Sequence, residues 1–211
     1  LQGCRGPAHW LSQADGVFCG GQLAAALFGL MDSGVTAQVL VNDGEAISAG
    51  TRLLELEGPA TALVGAERTA LNLAMRLSGI ATATATLASQ LKGSGVQLVD
   101  TRKTTPGLRV LEKYAVRCGG GGNHRMGLDD AAMLKENHLA WAGGVAPAVA
   151  AVRAAAPWPS QVIVEAETLE EAQAAVAAGA DGVLLDEFSP DALKHLVPEL
   201  RRQAQQRGKP V

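Results

Sequence analysis

The chain has 211 residues and a formal net charge of −3, with 47% hydrophobic but only 3% aromatic residues. That length suits one large domain or two small ones with a real core. The near-neutral charge speaks against nucleic acid as the main partner, because domains that bind it are usually basic overall, and no apolar run is long enough to span a membrane. Cys4, Cys19 and Cys118 make an odd count without metal-ligand spacing, which implies reduced thiols in a cytoplasmic protein. Cys118 borders a glycine run and reads as a small packed residue rather than a reactive thiol.

Residues 1–64 read as a small unit without obvious chemistry. Residues 23–31 (LAAALFGLM) have a helical composition, and 38–41 form a short strand candidate. Asn42, Asp43 and Gly44 give a turn signal, and 51–56 alternate apolar with polar residues as a half-buried strand does. Residues 65–92 read as helical, with Leu73, Leu77 and Ile80 on one stripe. Gly79 marks a break between two helices or a close contact.

Four short apolar runs follow, each ending in a polar or charged residue: 97–100, 131–135, 162–165 and 182–186. Helical segments at 145–155 and 169–178 lie between the later runs. Thr168 and Glu171 have the spacing of a capping box, and Gly179 to Asp181 read as a helix stop. Apolar strands separated by helices predict a parallel sheet buried on both faces. In such folds binding groups gather at the carboxyl ends of the strands. Asp100 with Arg102 and Lys103, then Lys135, Glu165 and Asp186, stand at those ends. Lys209 to Val211 read as the first residues of a fifth strand, so the chain is expected to be a fragment or a truncated form of a barrel protein.

Residues 100–109 (DTRKTTPGLR) open the most basic stretch. Arg102, Lys103, Arg109, Lys113, Arg117, His124 and Arg125 face only Glu112 between positions 102 and 125. Arginine forks and lysine point charges in this density predict a pocket for a small polyanion. The run Gly119 to Gly122 reads either as a backbone cradle for an anion or as a tight loop. Glu165 and Asp186 read either as carboxylates for Mg2+ shared with phosphate oxygens, or as partners that orient Lys135 or Arg102.

The blocks DTRKTTPGLR (100–109), EKYA (112–115), GGGGNHR (119–125), LKENH (134–138) and LLD (184–186) occur in this order, with ERTALN (67–72) and LSGI (77–80) before them. Together they resemble quinolinate phosphoribosyltransferase (nicotinate-nucleotide pyrophosphorylase, carboxylating) over nearly the whole chain. The resemblance implies an α/β fold: a partial N-terminal α/β sandwich domain in residues 1–95 and part of an open α/β barrel with parallel strands in 96–211. It implies a cytoplasmic transferase of NAD biosynthesis that takes quinolinate and phosphoribosyl pyrophosphate, with Mg2+, to nicotinate mononucleotide, CO2 and pyrophosphate. Arg102, His124, Arg125 and Lys135 would surround the two carboxylates of quinolinate, with Thr101 beside them. Lys103 would serve the same pocket and the phosphoribosyl group, and Lys103, Lys135, Glu165 and Asp186 would be the catalytic set. Glu165 and Asp186 would face the ribose hydroxyls and Mg2+, directly or through water. Arg68 would reach the site of a neighbouring subunit in a homodimer or a ring of dimers.

Two positions depart from the family pattern. Ile163 stands where an acidic residue is usual, and Glu187 stands in place of asparagine between Asp186 and Phe188. The glycine-rich segments that hold the 5′-phosphate are expected beyond Val211, and the first part of the sandwich domain before Leu1. Two other readings share these features: a non-catalytic anion-binding or assembly module, and the molybdenum-transport-associated paralogue of the same fold.

Overall fold

The computed structural model describes residues 1–208 and 211, so the fifth strand expected from Lys209 onward lies outside the described residues. By its contacts the chain forms two compact units, Leu1–Met126 and Gly127–Val211. The first of these units includes residues 96–126.

In the first unit, β1 (Arg5–Leu11), β5 (Arg52–Pro59) and β3 (Thr36–Val39) form an antiparallel sheet in that order, and β2 (Gly16–Val17) pairs with β4 (Ala46–Ile47). The sheet is central because β5 carries Leu54, Leu56 and Gly58 on alternate positions, all buried. The two leucines pack with Trp10, Phe18 and Phe28 from β1, the β2–α1 connection and α1 (Gly21–Met31). The Trp10 and Phe28 rings meet edge to face, with centroids 6.0 Å apart.

The chain leaves β5 directly into α2 (Ala60–Gln90), a single helix of 31 residues. Gly79 neither breaks it nor marks a close contact: it is exposed, and a Cβ added there would meet nothing within 4 Å. One interior glycine costs a helix only about 1 kcal/mol, which the packing of a long face outweighs. That face is Ala62, Ala66, Ala70, Ala74, Leu77, Ala81 and Thr84. The three- and four-residue spacing and the small side chains let other elements lie close along it.

One of those elements is α3 (Arg109–Cys118). It ends in a Schellman motif: Gly120 is left-handed at φ 86°, its N–H donates to Arg117 O, and Gly121 N–H donates to Val116 O. Gly119 lies against α2 so closely that a Cβ would stand 2.3 Å from Ala81 O and 2.6 Å from Thr84 Cβ. At the other end of this layer the Asp43 carboxylate serves the N-terminus of α1. It accepts from Gly20 and Gly21 N–H at 2.9 Å each and from the Tyr114 hydroxyl of α3 at 3.0 Å. Burial, then Asp43, pushes the Tyr114 phenol up.

The stretch 97–100 is not a buried strand. It makes one parallel bridge, Val99 with Gly122, and Val96 and Val99 are 61% and 45% exposed. The other three runs are strands of one parallel sheet in the second unit: β6 (Ala132–Leu134), β7 (Val162–Ala166) and β8 (Gly182–Leu185). Helices α4 (Glu136–Ala142), α5 (Val145–Ala155), α6 (Leu169–Ala177) and α7 (Pro190–Gln206) connect and follow them. The capping box at α6 is formed, with Glu171 N–H donating to Thr168 Oγ1 at 3.2 Å and Thr168 N–H to Glu171 Oε2 at 3.3 Å.

The register divides this sheet into two faces. Leu134, Val162, Val164, Ala166, Val183 and Leu185 belong to one, and they pack with the helices in two apolar clusters. Met133, Ile163 and Leu184 on the other face are partly buried, as are Val183 and Leu185 of β8, while Glu165 on that other face is buried.

Gly119→Ala is expected to destabilise the protein by about 2–3 kcal/mol, because the methyl group collides with the α2 backbone rather than with a flexible side chain. Urea unfolding monitored by circular dichroism measures this. A midpoint equal to that of the unaltered chain would contradict the close approach.

Candidate functional site

Each unit presents a set of charged groups. In the first unit it is the stretch from Asp100 to Arg125, folded around two buried carboxylates that the sequence pattern does not mark as organisers. Lys113 comes from α3 with its side chain 1% exposed, and its Nζ is paired with Asp100 Oδ1, itself on an 8% exposed side chain. The same carboxylate accepts His124 N–H at 2.8 Å and Asn123 Nδ2 at 2.6 Å. Lys113 is therefore not one of the available cations of the basic cluster. Burying the pair is tolerable because each charge has its counter-charge and Asp100 has further donors.

The second organiser is Glu112, also on α3. Its carboxylate receives Arg76 of α2 at 2.7–2.8 Å and Thr105 N–H at 3.1 Å, and Arg76 also donates to Thr105 Oγ1 at 2.9 Å. Burial acts to raise the Glu112 pKa, but the hydrogen bonds from Thr105 and Arg76 and the arginine charge outweigh it and hold it below the usual value. Arg109 closes the loop 101–108, donating to Thr104 Oγ1 at 3.1 Å, to Met126 O at 3.3 Å and to Arg102 O at 3.4 Å. Thr101 makes a local turn, its Oγ1 accepting Lys103 N–H at 3.0 Å. These bonds leave the Lys103 side chain exposed and that of Arg102 half-buried at the tip of a braced loop.

His124 is held by its backbone and by its ring. Arg125 N–H donates to His124 Nδ1 at 2.8 Å, so the neutral imidazole carries its proton on Nε2. His124 and Arg125 are both half-buried. The glycine run does not cradle an anion. Gly119, Gly120, Gly121 and Gly122 N–H donate to Ala115, Arg117, Val116 and Leu98 carbonyls in turn, so all four amides are spent on the loop itself. Cys118 is half-buried and packs near Cys19. Burial, then the neighbouring Cys118, pushes the Cys19 thiol up, which marks Cys19 as a packed residue and not a nucleophile.

In the second unit the charged groups stand at the carboxyl edge of β6, β7 and β8. The register pairs Leu134 with Val164, which brings Lys135 beside Glu165. Lys135 Nζ donates to both Glu165 oxygens, at 2.9 and 2.7 Å, with the glutamate side chain 8% and the lysine 44% exposed. His138 steadies the lysine backbone, its Nδ1 accepting Lys135 N–H at 3.0 Å. Glu165 pairs across with Leu184 and Ala166 with Leu185. Strand alternation then gives Lys135, Glu165, Glu167 and Asp186 the same face, the one that also carries Met133, Ile163 and Leu184.

Glu136, Glu165 and Glu167 each offer a carboxylate oxygen within 4.8 Å of the others. Hard oxygen donors of this kind suit Mg2+, which binds through one or two carboxylates plus substrate phosphate oxygens. Asp186 is outside that group. It is exposed, and its Oδ1 accepts Glu187 N–H at 3.1 Å. Glu187 is left-handed at φ 59°, a conformation that asparagine adopts readily and glutamate does not. Arg68 lies exposed on α2.

The pairings of Lys113 and Glu112 escape a reading of the sequence because both charges fall inside a basic run. The available signal was helical phase, since they adjoin Leu111 and Ala115 on the face of α3 that packs inward.

Glu112→Gln removes a carboxylate whose pKa is lower folded than unfolded. Its contribution is complete above the ordinary glutamate value of about 4.3 and is lost as pH falls through the depressed one. The melting-temperature difference between the unaltered chain and Glu112→Gln is expected to be constant near neutral pH and to shrink below about pH 4. Thermal melts from pH 7 to pH 3 check this, and a difference independent of pH would refute it.

Residues 2–78 match the model of the quinolinate phosphoribosyl transferase N-terminal domain, and residues 80–209 match that of the C-terminal domain. A protein of Synechocystis named "Probable nicotinate-nucleotide pyrophosphorylase (carboxylating)" is 44% identical over 198 residues, 94% of this chain and 67% of the relative. A protein of the same name from Bacillus subtilis is 44% identical over 188 residues, 89% of this chain and 65% of the relative. Among solved structures, the nicotinate-nucleotide pyrophosphorylase of Francisella tularensis superposes with a TM-score of 0.88 at 39% identity, covering 98% of this chain and 71% of that one. The chain thus spans about two thirds of the length of the first two relatives.

Proposed function

We propose that this chain, which belongs to the quinolinate phosphoribosyl transferase family, transfers the phosphoribosyl group of phosphoribosyl pyrophosphate to quinolinate. Pyrophosphate and CO2 leave, and nicotinate mononucleotide is formed for NAD biosynthesis. The observation that carries this is the match of both domain models, over residues 2–78 and 80–209. The charged groups of each unit support it chemically.

Quinolinate is a dianion whose ring nitrogen attacks the anomeric carbon of the ribose as pyrophosphate departs. In this reading Arg102, His124, Arg125 and Lys135 bind its carboxylates, Thr101 lies beside them, and Lys103 serves the same pocket and the phosphoribosyl group. Holding the ring so that its nitrogen meets the anomeric carbon is catalysis by positioning. Glu165 acts in two ways. It holds the Lys135 ammonium in place through both of its oxygens, and with Asp186 it places negative charge near the ribose, where positive charge develops. Alkylation makes the ring a pyridinium, whose positive nitrogen stabilises the carbanion left on the ring carbon when the adjacent carboxylate departs as CO2; that carbanion then takes a proton. Mg2+, when bound, would be held by Glu165 and Asp186, with Glu136 and Glu167 beside Glu165, and would neutralise the charge growing on the pyrophosphate. A homodimer in which Arg68 reaches the neighbouring subunit's substrate is part of the same proposal. So is a cytoplasmic location; no helix among the described residues is long and apolar enough to cross a membrane.

The test is incubation with quinolinate, phosphoribosyl pyrophosphate and Mg2+, following nicotinate mononucleotide by chromatography and labelled CO2 by trapping. Both products are expected in equal amounts. Quinolinate binding without turnover would instead make the chain a non-catalytic anion-binding module. Lys135→Ala is expected to weaken quinolinate binding about 10- to 100-fold, the usual worth of a hydrogen bond to a charged group. Calorimetry reads this directly, and an unchanged affinity would remove Lys135 from the site.

A further inference from the structure

We infer that Asp100 and Lys113 form a positioning pair: buried against each other, they hold residues 123–125 so that His124 presents its Nε2–H to an anionic substrate group, and neither touches substrate itself. The inference rests on the quinolinate reading for the identity of that anion. The fixation of His124 stands on the first unit alone.

Both oxygens of the Asp100 carboxylate are engaged by donors of the protein itself. Oδ1 takes Lys113 Nζ and His124 N–H, and Oδ2 takes Asn123 Nδ2. Asn123 Nδ2 also reaches Lys113 O at 2.9 Å, and Asp100 N–H donates to Gly122 O at 3.2 Å. One carboxylate thus ties α3 to two chain segments more than twenty residues apart in sequence. No described buried side-chain nitrogen or oxygen lacks a partner. A lysine with its side chain 1% exposed and its ammonium on Asp100 has no direct route to a ligand. What it supplies is a counter-charge and a hydrogen-bond donor to the Asp100 carboxylate. With Lys113 Nζ, Asn123 Nδ2 and His124 N–H all donating to it, the carboxylate serves as acceptor throughout and so orients the His124 backbone one way.

The ring then follows from the backbone. With His124 N–H fixed on Asp100, Arg125 N–H falls on His124 Nδ1 at 2.8 Å. That bond occupies Nδ1 as an acceptor, so the neutral ring has its N–H at Nε2 to offer. A carboxylate accepts from Nε2–H, whereas the other tautomer would offer it a lone pair.

The experiment compares two double variants with the unaltered chain. Asp100→Leu with Lys113→Met removes both charges together, so no unpaired charge is left inside. Asp100→Asn with Lys113→Met is also uncharged but returns an oxygen for His124 N–H. The leucine variant is expected to bind quinolinate about 10- to 100-fold more weakly, the scale of a misplacement near 1 Å, with affinity for phosphoribosyl pyrophosphate unchanged. The asparagine variant is expected to recover to within about threefold, since the hydrogen bond is restored. Imidazole nitrogen NMR of the ligand-free proteins is the second readout. His124 is expected as a single Nε2–H tautomer in the unaltered chain and the asparagine variant, and as a mixture in the leucine variant. Equal quinolinate affinity in a folded leucine variant, failure of the asparagine variant to recover, or an Nδ1–H tautomer in the unaltered chain would each overturn the inference. If the unaltered chain binds no quinolinate, the substrate assignment falls, and the NMR comparison still decides the positioning role, even where the leucine variant does not fold.

Discussion

A carboxylate and an ammonium buried together set the shape of the basic segment. Asp100 and Lys113 would each be costly to bury alone, and they are stable only as partners with hydrogen bonds filling the remaining valences. Meeting that requirement fixes where α3 lies relative to residues 98–100 and 123–125. Glu112 repeats the device one residue earlier, binding Arg76 of α2 and the amide of Thr105. Two adjacent charges on one short helix thereby hold opposite ends of the basic loop. Of the basic groups in the loop 101–108, Lys103 is left exposed and Arg102 partly so.

Both arrangements need α2 and α3 to pack closely, and the composition explains how they do. Seven buried residues of α2 form a stripe of alanines relieved only by Leu77 and Thr84. An alanine stripe brings backbones together, and Gly119 completes the approach where α3 ends on Ala81 and Thr84. The abundance of alanine and the scarcity of aromatic residues are therefore a packing solution. The glycine run belongs to the same solution. Its four amides close the helix end and bridge to Leu98, and none is left to bind an anion.

In the second unit the organising constraint is register. Parallel pairing of β6, β7 and β8 sends one set of alternate residues into the helices and sets Lys135, Glu165, Glu167 and Asp186 on the other face. A one-residue slip would exchange the sets and bury the charges, so the apolar contacts of Leu134, Val162, Val164 and Leu185 are what place the polar edge. The lysine and glutamate then pair because they occupy matching positions past the strands. Glu187 shows local strain at the same edge, with a left-handed backbone in a residue that disfavours it.

Several things were determined by the sequence alone: the family and its α/β class, the three strand runs beyond residue 130, α5, the capping box and stop of α6, and the identity of the charged residues. These are legible because period, caps and ordered motif blocks are local properties of a chain. Only the tertiary structure decided how the charges are used. It took Lys113 out of the basic cluster, gave Asp100 and Glu112 their roles as organisers, denied the glycine run an anion, kept α2 whole through Gly79 and reduced 97–100 to a single bridge. It also paired Lys135 with Glu165 and set the carboxylates of Glu136 and Glu167, rather than Asp186, within 4.8 Å of that of Glu165. The physical reason is that a side chain's availability depends on its burial and its partners. Those partners lie as much as thirty or more residues away in sequence, as with Lys135 and Glu165 or Arg76 and Glu112, where no local pattern records them.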